Sequence, residues 1–561
     1  MPESAAAPIA SFGALDWGVL VLYLMVMTAV GLWARLGQTS KRDFFLGGRD
    51  LPWWVVGLSI VATETSALTF IGIPAAAFGG LAYDEATRTF SVSGGNMHWM
   101  MLMSGYVLGR VIIAWRIIPL YFKGEVYTPY QLLSRAFGQR ARYTGSILQL
   151  IGISLGAGVR VYVTAIPIFV IGQTIAPGWT IWHSILLIII VALAYTAMGG
   201  IKAVVWTEMI QYFIYVGGGL FALFYIPSLL HGDLAAPNGA EGWAAVASVS
   251  KEHMEWFNLG FAGDTIGARF KDLFGGPYNL WMGLIPGTLG IVLAFGFDQL
   301  NVQRLLGCRD MKDSRKAMLM SAAMIVPQFL LFLLIGVALY AYYKINGFNF
   351  GVDPWKPSEP GKPVSDYVFP IFIVTKIPTV LKGFMIAAIL AAAMSSVSAA
   401  LSAMGSMITM DIYRPLRGAL ADAKAEMTLS RIMTGVSALA LGLVAWAASF
   451  GSEVISLAFT LAGLTGGGIL GVFAYGMIHK KGHEAPVIAG LLVSLTFMLA
   501  LNLGMNPSLL PGVEAEALIW KIQWPWHPMI GMIVCMATIY ALRPFFTTPE
   551  GRDIGDAEGE E

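Results

Sequence analysis

From about residue 15 to residue 543 the chain repeats one pattern: long apolar runs cut by short charged or Pro/Gly-rich breaks. Runs of roughly 18 to 30 apolar residues are long enough to cross the ~30 Å hydrocarbon core of a bilayer as helices. Backbone N–H and C=O groups in lipid must be satisfied within the segment, so such runs fold as helices. The chain is 57% hydrophobic and 12% charged, against about 25% charge in a soluble domain. The pattern predicts an all-α membrane protein with about 13 transmembrane helices, counted from the apolar periodicity. They lie near 15–35, 52–80, 94–120, 143–171, 181–198, 203–230, 279–300, 317–343, 383–407, 429–450, 454–478, 485–505 and 525–543.

Basic residues set the direction. One set of alternate loops carries Arg35, Lys41, Arg42 and Arg49, then Lys123, Arg135, Arg140 and Arg142, then Lys202. The same set continues through Arg304 to Lys316, Arg414 to Arg431, Lys480 with Lys481, and Arg543 with Arg552. These loops are expected in the cytoplasm of a protein of the cell (plasma) membrane, with the N-terminus outside and the C-terminus inside. No basic residue precedes the first apolar run, which predicts a retained span rather than a cleaved signal peptide. A single transporter domain is expected over 1–545, with core repeats near 52–230 and 279–478. The acidic stretch 546–561 reads as a disordered cytoplasmic tail. A net charge of +1 without a basic cluster gives no sign of nucleic-acid binding, and the two cysteines, Cys308 and Cys535, give no disulfide or metal framework.

No G-x-x-x-x-G-K-[ST] phosphate loop, no H-E-x-x-H and no converging acid, base and nucleophile set occurs. Transport is therefore expected rather than catalysis. An ionisable residue inside a span costs roughly 2.5 kcal/mol or more at mid-bilayer and marks an ion or solute path. Glu64 is such a residue, within the stretch LSIVATETSALTFIGIP. Helix 2 carries Thr63 to Ser66 and then Gly72-Ile73-Pro74, and helix 7 carries Pro286, Gly287 and Gly290. Both are expected to break, since proline removes a backbone bond, and such breaks are tolerated where backbone lines a cavity. Their places at the start of helices 2–6 and 7–11 suit inverted repeats that bind ion and solute at the midplane. In helix 9, Ala392, Ser395 and Ser396 share one face. Two hydroxyls there supply hard oxygen ligands for a cation, or simply small residues for close packing.

The stretches DFFLGGRDLPWWVVGLSIVATETSALTFIGIP, YTPYQLLSRAFGQRAR, AMGGIKAVVWTEMIQ, FGFDQLNVQRLLGCRD and AAAMSSVSAALSAM together resemble the sodium/solute symporter family of sodium-coupled glucose, proline and sialic acid transporters. The resemblance implies a leucine-transporter-like 5+5 inverted-repeat core with flanking helices and alternating access. It implies a sodium site made by the carbonyls of Ala62, Thr65 and Ala392 with the hydroxyls of Ser395 and Ser396. A possible second cation site falls on Glu208 and Ser398, where Ala399 replaces a further serine. Glu208 also lies near a helix start, where the dipole favours a carboxylate.

Candidate solute-binding residues are Glu64, Arg160 and Thr69. Glu64 is open to three readings: solute contact, cation tuning, or an internal ion pair with Arg160 as the expected partner. Arg110 and Arg116, nearer a helix end, are expected to snorkel. One acid and one base in a cavity suit a zwitterion, an organic anion or a polyol. The expected function is sodium-coupled symport of a small organic solute, with a membrane sensor or a passive channel as alternatives.

Overall fold

The structure is a computed structural model that describes residues 12–36, 41–66, 68–123, 126–176, 178–230, 239–351, 355–356, 359–418, 423–449, 454–507, 517 and 519–546. The acidic tail after residue 546 lies outside them. Helices occupy each stretch where the apolar pattern places one. They are α1 (Ala14–Arg35), α2 in two halves (Trp53–Glu64 and Thr69–Phe78), α3 (His98–Tyr121), α4 (Gln139–Ile175), α5 (Ile181–Ala194) and α6 (Gly200–Ser228). There follow α7 (Leu280–Gly296), α8 (Met311–Ile345), α9 (Leu381–Arg417), α10 (Ala423–Ala448), α11 (Val454–His479), α12 (Glu484–Met505) and α13 (Trp524–Phe545). Among the described residues nine helices are long and apolar enough to cross a membrane alone, and two bent pairs raise this to 11; of the expected 13, α5 is shorter and α11 is not among those counted.

Of the nine helices that cross alone, α9 is the most enclosed, with 94% of its most apolar stretch buried, whereas that share is 22% in α1 and α13, which turn apolar sides outward. The Ala/Ser-rich sequence of α9 makes this possible, since small side chains let neighbouring helices approach closely. Gly200 separates α5 from α6 with φ 55° and ψ −160°, and a Cβ there would meet the Phe44 carbonyl at 2.6 Å. Only glycine satisfies both conditions.

The first half of α2 ends at Glu64, where Thr65 has φ −81° and ψ 81°, and the second half is bent from it by 61°. Hydroxyls compete for the helical carbonyls: Thr63 Oγ1 donates to Ser59 O and Thr65 Oγ1 to Val61 O, both at 2.9 Å. The Ser66 amide turns back to Glu64 O at 3.0 Å.

Helix 7 departs from expectation. It remains helical from Leu280 to Gly296, with a π turn at Gly283–Gly287. The wider turn accommodates Pro286, whose missing N–H would otherwise break the ladder. A 50° bend lies before it, between Ile266–Gly275 and Leu280–Gly296. Gly283 serves packing instead, since a Cβ on Gly105 of α3 would stand 2.1 Å from Gly283 O.

The connecting segments hold two antiparallel hairpins that the helical reading does not include. They are β1 (Gly80–Asp84) with β2 (Thr89–Ser93), and β3 (Trp355–Lys356) with β4 (Glu359–Pro363). The β2 sequence TFSVS alternates exposed and half-buried residues, the period-2 pattern of a strand.

Candidate functional site

The break in α2 opens on a cavity of about 230 Å³ between α2, α3, α4, α7, α8, α11 and the start of α13. Glu64, Thr69 and Arg160 all line it. One end is aromatic: Trp99 packs on Tyr278 with ring centroids 4.7 Å apart, and Trp524 Nε1 donates to the Tyr278 hydroxyl at 2.9 Å. The other end is polar, with Gln149, Asp298 and Asn301. Asp298 Oδ1 caps the short helix Gln299–Leu306 by accepting from Leu300 N at 2.9 Å.

Beside the cavity the break brings three of the expected cation ligands together. Ser395 Oγ lies 3.1 Å from Ala62 O and 2.9 Å from Ala392 O. Ser396 Oγ reaches the same strip of α2 backbone, donating to Thr63 O at 3.3 Å. Thr65 is held from the other side, where Gln328 Nε2 donates to its hydroxyl and Tyr215 donates to Gln328 Oε1 at 3.3 Å. A hydroxyl keeps lone pairs while it donates. Rotation of the two serine O–H bonds would therefore present their oxygens to a cation at the carbonyls they now meet.

Glu208 and Ser398 are engaged separately. Glu208 is fully buried and bound to Arg304, Oε1 to Nη2 at 2.6 Å and Oε2 to Nε at 3.0 Å, with Ser59 also donating to Oε2. Ser398 donates to Ser395 O at 3.1 Å. Among the described residues no hydrogen bond joins Ser398 to Glu208.

Arg160 is not the ion-pair partner of Glu64. That partner is Arg110, fully buried, whose Nη2 meets Glu64 Oε2. Its guanidinium is further satisfied by Ser321 Oγ and Tyr106 O, each at 3.1 Å, and lies 4.5 Å from the Phe295 ring centroid. Position along α3 allowed snorkelling. The turn of the helix, which aims the side chain at the α2 break, forbids it. Among the described residues Arg160 makes no hydrogen bond or ion pair through its side chain, and its charge faces Asp298 and Glu64 across the cavity.

Tyr106, Asp298, Asn301 and the aromatic end were not anticipated. Asp298 alone carried a signal, as an acid within the FGFDQ stretch that follows an apolar helix.

Residues 44–494 match the description of the sodium:solute symporter family. The chain is similar to the human sodium/iodide cotransporter, 29% identical over 88% of this chain and 70% of that one. It is also similar to the sodium/sialic acid symporter of Proteus mirabilis, 26% identical over 88% of this chain and 91% of the other. A solved Na+-coupled sialic acid symporter, substrate-bound and outward-open, superposes with a TM-score of 0.75 over 96% of this chain and 99% of that one, at 23% identity. That likeness shows the fold, a leucine-transporter-like core of two inverted five-helix repeats with flanking helices. The matched region, the fold and the broken helix beside a buried serine pair lead to one assignment: the chain belongs to the sodium:solute symporter family.

Proposed function

We propose that sodium binds where the α2 break meets α9, at the carbonyls of Ala62, Thr65 and Ala392 and the hydroxyls of Ser395 and Ser396, and that a small organic solute binds in the adjoining cavity. As a family member the chain is a multi-pass, sodium-coupled symporter working by alternating access. The observation that carries the site assignment is the approach of Ser395 Oγ to Ala62 O and Ala392 O, which joins the broken helix to α9 at one point. Hard oxygen donors of this kind suit an alkali cation. Sodium there draws α2 and α9 together and shapes the cavity wall that carries Glu64 and Thr69, so each ligand strengthens binding of the other.

In this reading Arg160 holds an acidic group of the solute. Its planar fork matches a carboxylate bidentately, and it has no ion-pair partner among the described residues. The similar transporters named for iodide and sialic acid handle anions, which supports a cationic contact here. Glu208 is in this view a structural partner of Arg304 rather than a second cation ligand, since both its oxygens are taken. The basic loops support a plasma-membrane protein with an outside N-terminus and a cytoplasmic C-terminus. We take residues 1–545 as one transporter domain.

Uptake by the purified chain in liposomes tests the reading. Accumulation against a solute gradient that collapses when sodium is replaced by potassium is expected. Downhill flux indifferent to sodium would instead mark a passive pathway.

A further inference from the structure

The cavity carries more polar capacity than a sodium ion and a carboxylate would use. Glu64 is 8% exposed; Oε2 takes Arg110, while Oε1 has no hydrogen-bond partner among the described residues. Asn301, 6% exposed, donates from Nδ2 to Ala294 O at 2.8 Å, and its Oδ1 is likewise without a partner among the described residues. Both residues line the cavity, as does Arg160. A buried acceptor without a donor carries its full desolvation cost, so native proteins keep few such groups, and those they keep call for an explanation. Two such acceptors on residues that line one cavity suit a ligand that donates hydrogen bonds.

We propose that the transported solute is a carboxylic acid that also carries a hydrogen-bond donor, an amino acid ahead of a hydroxy acid. Its carboxylate lies on Arg160 and its ammonium or hydroxyl donates to Glu64 Oε1. This rests on the reading of Arg160 given above. Asn301 Oδ1, without a partner among the described residues, is the acceptor for a second donor. A halide or an unsubstituted carboxylate leaves the Glu64 oxygen unmet. A hydroxyl meets the oxygen. An ammonium meets it with a charge-assisted hydrogen bond, about twice as strong as a neutral one.

The test measures stabilisation of the full chain in nanodiscs by the standard L-amino acids, the matching 2-hydroxy acids, the unsubstituted acids and iodide, each in sodium and in N-methylglucamine chloride. At least one amino acid is expected to raise the melting temperature in sodium. Its hydroxy analogue should bind about tenfold more weakly and the unsubstituted acid about 100-fold more weakly, about 1.4 kcal/mol per step. The N-trimethyl analogue, which keeps the charge but cannot donate, should also bind at least tenfold more weakly than the parent amino acid, by the same arithmetic. Glu64→Gln should shrink the amino-to-hydroxy difference to about threefold or less. If that variant does not fold with Arg110 unpaired, Glu64→Gln with Arg110→Gln keeps a neutral polar pair and should give the same flattening.

An unsubstituted acid or iodide binding as tightly as the best amino acid overturns the proposal, as does silence from every amino and hydroxy acid. Sodium alone reads the parent hypothesis separately. A sodium response with the inverted solute order sinks only the solute class, whereas no sodium response with any solute sinks both.

Discussion

Glu64 and Glu208 are both buried carboxylates paired with an arginine, and they differ in what they leave open. Arg304 and Ser59 use both oxygens of Glu208, whereas Arg110 uses one oxygen of Glu64. Glu208→Gln should therefore act on stability. Leaving Arg304 buried and unpaired costs about 3–5 kcal/mol, read as a large drop in melting temperature in detergent. The double replacement Glu208→Gln, Arg304→Met should recover much of that loss and keep sodium-dependent uptake; lost sodium dependence in a folded double variant would return Glu208 to the ion path. Ser395→Ala should raise the sodium concentration for half-maximal uptake about tenfold, about 1.4 kcal/mol, and more than Ser396→Ala, because Ser395 reaches two carbonyls and Ser396 one. Unchanged sodium dependence in both variants would place the ion elsewhere. Arg160→Lys should weaken solute binding at least about tenfold with sodium binding intact, since an ammonium lacks the planar fork. An unaltered solute affinity in an equilibrium binding measurement would remove Arg160 from the site.

At the scale of elements, the two helices expected to break, α2 and α7, behave differently for a local reason. In α2 a run of hydroxyl residues, Thr63, Thr65 and Ser66, offers the backbone alternative partners two to three turns before Pro74, and the helix parts there. No such run precedes Pro286; Thr288 Oγ1 donates to Leu284 O at 2.7 Å from within the helix, and a π turn absorbs the proline. The glycines of α3 and α7 form a contact tight enough to exclude a methyl group, with Gly105 and Gly283 each facing the other helix's backbone. Gly105→Ala should cost at least the ~1–3 kcal/mol typical of overpacking, seen as poor membrane yield or a lower melting temperature. Gly290→Ala, where a Cβ meets nothing within 4 Å, is the control and should keep the wild-type membrane yield and melting temperature. Equal stability of the two variants would show that α3 and α7 do not cross this closely.

For the molecule as a whole, coupling is limited by the energy sodium brings. A tenfold inward gradient supplies about 1.4 kcal/mol, and 100 mV adds about 2.3 kcal/mol for each charge moved. With one sodium and a zwitterion, one positive charge crosses per cycle, and together the two terms support accumulation of roughly 400-fold. With a monoanion the cycle moves no net charge, and about tenfold is the ceiling. An inside-negative potassium diffusion potential should therefore raise uptake of the best amino-acid solute at fixed sodium. Potential-independent uptake of that solute would rule out a stoichiometry of one sodium per zwitterion.

Much of this protein was readable along the chain. Apolar runs of bilayer length leave the backbone one way to satisfy itself, so the order and approximate ends of the helices follow from composition in sequence order. Helical spacing likewise put Ser395 and Ser396 on one face, and the hydroxyl run announced the break in α2. What could not be read is where each face points, because that depends on how separate helices rotate and cross. Arg110 rather than Arg160 meets Glu64 because α3 presents it to the break. Glu208 finds Arg304 from almost a hundred residues away. Two oxygens, Glu64 Oε1 and Asn301 Oδ1, lack partners among the described residues because the packing places no donor beside them. A sequence lists donors and acceptors, and only the packed helices decide which of them meet.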